Sequence, residues 1–422
     1  MLYFPILGNV WEEKRMAGPL DGIRILEWAM WHNGPAAGYM LGELGAEVIK
    51  IEHPVQGDAT RGVSTMSGAP MFLPGGRSIL FEVANRSKKS ITVNLQTEKG
   101  REVVYRLVEK SDVFFTNFRQ KVARKLKLDY PDLARINPKL IYAYNTGNGL
   151  KGEESELRAF DQLAQARTGM MWAIGDRDLE EPQVVQGAIM DQTGATMLAF
   201  AIVSALLARE RQGIGQQVDV SLLGSAIHLQ TVNIHAAMWQ GRAIPRHSRN
   251  RARNAMDNHY RCADGKWIRF GESQSDRFWV EFCDALGVEG LVHDQRFDTS
   301  ERRRANFAEM VPLLDKIFAG KPRAEWFRIF KEKHCQFAWG PINATEDVAN
   351  DPQVLINDYI VEYEHPTMGR VKTVSLPIHF EKTPVAIQCP PPEFGQHTEE
   401  VLLDVAGYSW EEIAQMRADG VL

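Results

Sequence analysis

Residues 22–28 read Gly-Ile-Arg-Ile-Leu-Glu-Trp, residues 33–38 read Asn-Gly-Pro-Ala-Ala-Gly, and residues 45–54 read Gly-Ala-Glu-Val-Ile-Lys-Ile-Glu-His-Pro. The first and third stretches have the short apolar runs of buried strands. Gly34 predicts a sharp turn after the first strand, and Pro35 suits the first turn of a helix. Gly45, just before the strand in the third stretch, would end that helix. The three stretches therefore predict a strand–helix–strand unit, which places helix N–H groups at the carboxyl edge of a parallel sheet.

The same alternation continues through the first half of the chain. The pattern predicts strands at 90–95, 112–115 and 140–144, with a helix at 98–110 between the first two. Strands that alternate with helices indicate a parallel sheet covered on both faces. The loops expected at the ligand-binding edge of this sheet are 31–35, 53–60, 116–120 and 145–150.

The second half of the chain has a different texture. Residues 192–210 form an apolar run rich in small residues, which predicts a buried core helix. A hairpin is predicted at 260–270, and the helices expected after it lie at 274–286, 308–319 and 323–333. The predicted fold class is α/β, with a Rossmann-like large domain built on a parallel sheet and a smaller α+β domain. The predicted division is an extension at 1–18, the first part of the large domain at 19–230, the small domain at 231–340, and a C-terminal return to the large domain at 341–422.

Composition narrows the function classes. The 422 residues carry a formal charge of −5, which gives no support to a nucleic-acid partner, and 44% of them are hydrophobic, which is typical of a globular protein. No apolar run predicts a membrane span, and residues 1–18 lack the basic start of a signal peptide. The four cysteines lie far apart with no CxxC pair, which argues against a zinc site. A cytoplasmic enzyme without a metal is the expectation.

Nine short motifs, in their order and spacing, carry a resemblance to a known family. They lie at 22–54, 88–95, 117–119, 137–142, 160–166, 215–221, 260–265, 340–342 and 395–398. Together they resemble CoA-transferase family III (the CaiB/BaiF family), which includes formyl-CoA and carnitine CoA-transferases. The resemblance implies an interlocked homodimer, acyl-CoA and carboxylic acids as substrates, and no permanently bound cofactor.

The resemblance also implies the nucleophile. In these transferases it is an aspartate just before a long, small-residue-rich helix, which corresponds to Asp191 here. Read alone, Asp191 is equally typical of a helix N-cap. Asp176 and Asp178, in the preceding polar turn, are the alternatives if the correspondence is shifted. An aspartate is ionised at neutral pH and needs no base to activate it. It would attack a thioester carbonyl, and an anhydride and an aspartyl-CoA thioester would follow.

Further site residues come from the same correspondence. The acyl site is expected at His32, Asn33, Asn148 and Gly149, with turn N–H groups at 147–149 and around Asn33 and Gly34 as oxyanion donors. Coenzyme A contacts are expected at His53, Val93, Asn94, Asn117, Phe118, Arg119, Lys125, Thr146 and Gly147. The residues that could form an apolar acyl pocket, or belong to the core, are Trp31, Met170, Met171 and Trp172. His53 departs from the arginine of many members, and His32 from the glutamine of formyl-CoA transferases.

Other departures define the alternatives. Residues 254–262 contain no glycine run, so the glycine-rich flap of formyl-CoA transferases is absent, which argues against an oxalate or formate enzyme and favours a bulky, aromatic or branched acid. A related racemase would need groups that remove and return an α-proton at the positions of Phe160 and Arg261. Neither of these side chains can do this. An intramolecular CoA transfer and a catalytically silent CoA-binding protein stay open. The arginines within 246–253 are either a grip for an acidic group or an interdomain loop.

Overall fold

The computed structural model describes residues 17–422, so all but the last two residues of the expected extension at 1–18 lie outside the described residues. Within the described part, contacts divide the chain into two compact units. The first comprises the residues up to 171, 184–242 and 358–422, and the second comprises 172–183 and 243–357. The division at 19–230, 231–340 and 341–422 stays a prediction.

The described strands are β1 (Arg24–Trp28), β2 (Glu47–Glu52), β3 (Thr65–Met66), β4 (Ala69–Pro70), β5 (Lys89–Thr92), β6 (Val113–Thr116), β7 (Ile141–Thr146), β8 (Gln216–Ser221), β9 (His259–Arg261), β10 (Trp267–Phe270), β11 (Trp339–Ile342), β12 (Ile360–His365) and β13 (Gly369–Val374). The described α-helices are α1 (Asn33–Glu43), α2 (Ile79–Asn85), α3 (Glu98–Glu109), α4 (Gln120–Lys125), α5 (Tyr130–Ile136), α6 (Asp161–Arg167), α7 (Met170–Ala173), α8 (Ile189–Gln212), α9 (Leu222–Leu229), α10 (Thr231–Gln240), α11 (Ser275–Leu286), α12 (Ser300–Ala305), α13 (Phe307–Phe318), α14 (Arg323–Glu332), α15 (Thr345–Val348), α16 (Pro352–Ile356), α17 (Thr398–Asp404) and α18 (Trp410–Ala418).

A six-stranded parallel sheet organises the first unit, which confirms the predicted α/β class. Its order is β5-β2-β1-β6-β7-β8. The chain order reverses between β1 and β6, so a crevice opens where the loops after these two strands diverge. Asn117, which follows β6, spans this crevice. Its Oδ1 accepts from the N–H of Met30 at 3.1 Å, and its Nδ2 donates to the carbonyl of the same residue at 2.7 Å.

The strand–helix–strand prediction at the N-terminus is confirmed, but the sharp turn lies elsewhere. Trp31 has a φ of 68°, a conformation that costs energy for a residue with a side chain, and α1 already begins at Asn33. Gly34 lies inside the helix. A Cβ there would be 2.7 Å from the Cβ of Ala29, so the glycine is required for close packing rather than for turning.

The strand predicted at 90–95 is shorter than expected. It ends at Thr92 because the N–H of Asn94 donates to the carbonyl of Val421 at 2.7 Å and leaves the sheet ladder. The C-terminal residues are therefore built into the first unit. The strand predicted at 140–144 instead extends to Thr146, because β8 pairs with it in parallel as far as that residue.

Helix α8 is predicted to be a buried core helix, but in the structure only one face of it is buried and the other is exposed. Its buried face packs small residues such as Gly194 and Ala195 against α1, while Phe200 on the other face is 66% exposed. By length and composition alone, α8 is the one described helix apolar enough to cross a membrane. The same composition is typical of a helix that packs closely in a core.

The second unit contains the antiparallel sheet β9-β10-β11 and six described helices that follow β10 along the chain, α11, α12, α13, α14, α15 and α16. The hairpin predicted at 260–270 is confirmed, since Ile268 pairs with Tyr260 in antiparallel register. The core of this unit is aromatic, and Phe270 contacts the rings of Phe282, Phe318 and Phe330.

Candidate active site

Asp191 lies in the first turn of α8, at the third helical position. The N-cap of α8 is Ala188, with a φ of 58° and no side-chain cap, so the N-cap interpretation of Asp191 is wrong. Asp191 is only partly exposed, and burial, with a further contribution from the charge of Asp161, raises its pKa to about 7. The carboxyl is therefore more basic than that of a surface aspartate and is not fully ionised at neutral pH, which corrects the expectation from its usual pKa.

Asp161 supplies the cap that α8 lacks. Its Oδ2 accepts from the N–H of Met190 at 2.6 Å and from the N–H of Asp191 at 3.1 Å. Asp161 is itself buried, so these charge-assisted hydrogen bonds are shielded from water. The sequence places residue 161 within the motif at 160–166 but predicts no role for it. No local pattern could reveal the contact, because the partners lie 29 and 30 residues apart.

His32, expected at the acyl site, lies next to the start of α8. Its Nε2 is 3.0 Å from Oε1 of Gln192, the residue after Asp191, and Nε2 of Gln192 is 3.3 Å from the hydroxyl of Tyr39. Burial lowers the pKa of His32. The imidazole is therefore neutral near pH 7, and Nδ1 has no hydrogen-bond partner among the described residues.

Asn33, the second expected acyl-site residue, is buried and faces α8. A Cβ at Gly194 would lie 2.9 Å from the amide atoms of Asn33, so only glycine allows α8 to come this close. Asn145 at the end of β7 donates a short hydrogen bond to Oδ1 of Asn33. From the sequence, Asn145 was only one member of the loop expected at 145–150, whereas the structure places it in β7, where its side chain reaches Asn33.

The loop at 147–149 does not join this group. Nδ2 of Asn148 donates to the carbonyl of Glu154, and the N–H of Gly149 donates to Oγ1 of Thr146 at 3.0 Å. The N–H of Gly149 is thus engaged within its own loop, and its expected role as an oxyanion donor stays a prediction. Gly147 is tightly packed, since a Cβ there would be 2.3 Å from the Cβ of Ala159.

Three of the expected coenzyme A contacts line one cavity of about 170 Å³ at the carboxyl edge of the sheet, namely His53, Val93 and Phe118. The ring of Phe118 stacks on Trp28, with centroids 4.4 Å apart, and forms an apolar wall. Nδ1 of His53 accepts from the N–H of Val55 at 3.2 Å, which fixes the imidazole at the rim.

The other expected contacts do not line this cavity. Asn94 donates to the carbonyl of Gly420, Arg119 donates to the carbonyl of Glu156, and Thr146 donates to the carbonyl of Val220. Lys125, at the end of α4, is exposed, so it is the one member of this set placed as a solvent-facing cation.

A buried ionic layer supports the loop between β1 and α1. Nζ of Lys50 lies 2.9 Å from Oε1 of Glu27 and 2.8 Å from Oδ2 of Asp58, and it donates to the carbonyl of Ala29. Burial alone would lower the pKa of Lys50, but the carboxylates of Asp58 and Glu27 outweigh it and raise the pKa. Nζ of Lys88 lies 2.7 Å from Oε2 of Glu27. The sequence alone predicts no role for these charged residues.

Two of the arginines within 246–253 contact segment 172–183 of the second unit. Arg246 donates to the carbonyl of Leu179, and a guanidinium nitrogen of Arg251 is 3.7 Å from Oδ1 of Asp178. The alternative nucleophiles lie in this segment, where the half-buried Asp176 accepts from the N–H of the exposed Asp178. Trp172 lies in this segment, 5.9 Å from the guanidinium of Arg246. Among residues 17–422, no cluster of three or more His, Cys, Asp or Glu could hold a metal ion.

The apolar residues expected near the acyl site pack against different partners. Trp31 meets Phe160 edge to face, with centroids 6.2 Å apart, and both rings are about half exposed. These rings belong to the residues that precede His32 and Asp161. Met170 instead packs with the small cluster under Met190.

Comparisons with known proteins give similar sequences and a similar fold. A family model described as CoA-transferase family III matches residues 20–398. The chain is 32% identical to cinnamoyl-CoA:phenyllactate CoA-transferase of Clostridium sporogenes, over 94% of this chain and 96% of that one. It is also 32% identical to succinyl-CoA:glutarate CoA-transferase of Mus musculus, over 96% of this chain and 90% of that one. The crystal structure of a CaiB/BaiF family protein from Brucella suis superposes with a TM-score of 0.81 and 31% identity, covering 92% of this chain and 100% of that one.

Proposed function

Because the chain belongs to CoA-transferase family III, we propose that it moves CoA from an acyl-CoA to a free carboxylic acid, with Asp191 as the nucleophile. The observation that carries the proposal is the position of Asp191. Asp191 lies in the first turn of α8 and its pKa is raised to about 7. His32 is hydrogen-bonded to the next residue, Gln192, and Gly194 of the same helix packs against Asn33. A carboxylate here can attack without a base or a metal.

The proposed reaction has four transfers. The Asp191 carboxylate attacks the donor carbonyl, the C–S bond breaks, and a mixed anhydride and CoA thiolate form. The thiolate attacks the Asp191 carbonyl, which gives an aspartyl-CoA thioester and releases the donor acid. The acceptor carboxylate attacks this thioester, and the thiolate released then attacks the acceptor carbonyl of the second anhydride. The products are acceptor acyl-CoA and free Asp191, with no net proton change.

The residues around Asp191 have assignable parts in this scheme. The amide group of Asn33 is buried against Gly194 of α8, and Asn145 donates to it, so we assign one of these two amides to the oxyanion. The wall formed by Trp31 and Phe160 favours a bulky apolar acid. Relatives named for cinnamoyl-CoA and for succinyl-CoA show that donors of both kinds occur in the family.

Trapping tests the covalent step. The protein is incubated with acetyl-, succinyl- and cinnamoyl-CoA, quenched with hydroxylamine, and mapped by mass spectrometry. A hydroxamate at Asp191 is the expected result, strongest with cinnamoyl-CoA. A hydroxamate at Asp176 or Asp178 would contradict the assignment of the nucleophile, and no hydroxamate on protein that binds these thioesters would favour a silent CoA-binding protein.

The acceptor distinguishes the two forms of transfer. With a labelled free acid present, intermolecular transfer places the label in the new acyl-CoA. An intramolecular enzyme would instead move CoA between the carboxyls of one diacid and leave the label in the free acid. The racemase alternative is disfavoured because the Asp161 carboxylate is already engaged by two backbone N–H groups and Gln165.

We assign the nucleotide end of CoA to the cavity beside Phe118. Phe118→Ala removes the ring that stacks on Trp28, and a base stacked on an aromatic ring is stabilised by ~1–3 kcal/mol. The expected result is a rise of about tenfold in the Kd of CoA by calorimetry, with kcat at saturation little changed. Phe72→Ala, at a half-exposed ring that does not line the cavity, is the matched control. An unchanged Kd in Phe118→Ala would place the nucleotide elsewhere.

The exposed apolar face of the first unit supports a homodimer. The side chains that are more than 60% exposed on α8 and α10 are Phe200, Val232, Met238 and Trp239. Large apolar side chains exposed on two helices in this way are typical of an interface between subunits. Light scattering at micromolar concentration is expected to give twice the chain mass, and a monomer would contradict the proposal.

We also propose a cytoplasmic location, since the four cysteines form no disulfide with one another.

A further inference from the structure

Two side chains of α6 hold the backbone that carries Asp191. Asp161 and Gln165 are one turn apart on α6, and both are buried. Gln165 forms two hydrogen bonds with the backbone of Val185. Nε2 of Gln165 donates to the carbonyl of Val185 at 2.8 Å, and the N–H of Val185 donates to Oε1 of Gln165 at 3.0 Å. Asp161 holds the N–H groups of Met190 and Asp191. Nε2 of Gln165 also donates to Oδ1 of Asp161 at 2.6 Å, which joins the two contacts.

The segment held in this way needs support. Gly187 and Ala188 both have positive φ, 93° and 58°, and an alanine in that conformation costs on the order of 1–2 kcal/mol. Ala188 also offers no side chain to the unpaired N–H groups at the start of α8. Nothing in the local sequence therefore fixes the direction in which Asp191 leaves the first turn. The hydrogen bonds from α6 do so.

We propose that Asp161 and Gln165 form a clamp that positions Asp191 for attack on the thioester, an inference that rests on the function proposed above. Asp161 is a positioning residue, since its carboxylate contacts the backbone of the nucleophile rather than the substrate. A displacement of about 1 Å at a nucleophile can reduce the rate ~10²-fold. Loss of the clamp is therefore expected to lower kcat while leaving the KM for acyl-CoA near its original value.

The clamp has a measurable electrostatic signature. Burial, and after it the negative charge of Asp161, raises the pKa of Asp191. Other titratable groups also lie on the elements packed against α8. They are His32 before α1, which burial keeps neutral near pH 7, Tyr39 and Glu43 on α1, Arg167 on α6, Tyr142 and Tyr144 of β7, Asp219 of β8 and His228 of α9, the last two being exposed. Removing the charge of Asp161 should therefore lower the pH midpoint for acylation of Asp191.

Asp161→Asn is the primary test, because it keeps the shape and one acceptor but removes the charge. Adduct formation is measured in a single turnover between pH 5 and 9. The expected result is a midpoint below that of the wild type and a rate 10- to 100-fold lower at pH 8.5, where Asp191 is ionised in both proteins. Gln162→Ala, at an exposed position of the same helix, is the matched control and should change neither.

Gln165→Ala separates position from charge. It removes the hold on Val185 and leaves the Asp161 carboxylate in place, so the rate should fall without a shift of the midpoint. This variant decides the question if Asp161→Asn does not fold. A rate within twofold of the wild type and an unshifted midpoint in Asp161→Asn would overturn the proposal, as would a fall confined to KM.

Hydrogen exchange gives a readout that is independent of the reaction. The amides of Met190 and Asp191 should exchange faster in Asp161→Asn than in the wild type, because their acceptor is weakened. Faster exchange on a protein that forms no adduct at Asp191 would uphold the clamp and reject the proposed function. Unchanged exchange would reject the clamp itself.

Discussion

Asp191→Asn is expected to abolish the hydroxamate at residue 191 and to reduce CoA transfer by at least ~10³-fold, because an amide cannot form the anhydride or the thioester. The substitution preserves size, and the N–H groups of residues 190 and 191 still donate to Asp161. Steady-state transfer with the donor that traps best is the measurement. Asp178→Asn, in the exposed turn of the second unit, is the matched control and should retain full activity.

Stability distinguishes loss of the nucleophile from loss of the fold. Because the folded-state pKa of Asp191 is raised to about 7, the folded protein keeps a proton that the unfolded chain releases near pH 4. Ionised Asp191 therefore destabilises the fold progressively as pH rises from about 4 to 7. Asp191→Asn should be more stable than the wild type by on the order of 3 kcal/mol at pH 8, and equally stable near pH 4. A variant that is inactive and less stable at pH 8 would contradict this interpretation.

Lys50→Met is expected to lower the free energy of unfolding by about 3–5 kcal/mol, because it leaves the carboxylates of Glu27 and Asp58 buried with their shared cation gone. Lys50 also donates to the carbonyl of Ala29, so the loop between β1 and α1 should lose its anchor. Urea unfolding at pH 7 measures the loss, and the Kd of CoA should rise because that loop borders the cavity beside Phe118.

Lys89→Met is the matched control for this prediction. Lys89 lies on the neighbouring strand and pairs with Glu47 and Glu400, but its side chain is 31% exposed. Exposed ion pairs contribute about 0–1 kcal/mol, so this variant should unfold close to the wild type. Equal losses in the two variants would show that burial of the Lys50 cluster does not decide its contribution.

Most of the first unit could be predicted because its signals are local. The apolar runs of β1 and β2 and the glycine after α1 act within a few residues, and their strand–helix–strand prediction is confirmed. Errors arose where a distant residue intervened. The strand predicted at 90–95 ends early because Val421 takes the N–H of Asn94, a contact across more than 300 residues.

The site residues also depend on contacts that the sequence could not predict. Family resemblance directed attention to Asp191, His32 and Asn33, and the structure brings His32 and Asn33 to the start of α8. Asn148 and Gly149 were chosen by the same reasoning, yet their hydrogen bonds go to Glu154 and Thr146. A correspondence of positions transfers residue identity, but it does not say whether a particular N–H is already occupied.

The sequence by itself determined the α/β class, the parallel strand–helix alternation, and, through its motifs, the family and the aspartate proposed as nucleophile. The class and the alternation follow from periodicity and turn chemistry that act over a few residues, whereas the family and the aspartate follow from the resemblance of the motifs. Only the tertiary structure decided that Asp161 and Gln165 hold the segment before Asp191, and that Glu27, Lys50 and Asp58 form one buried layer. The physical reason is that capping, charge pairing and burial depend on distance in space. Their partners, here 29 residues apart for Asp161 and Met190 and 160 apart for His32 and Gln192, meet only once the chain has folded.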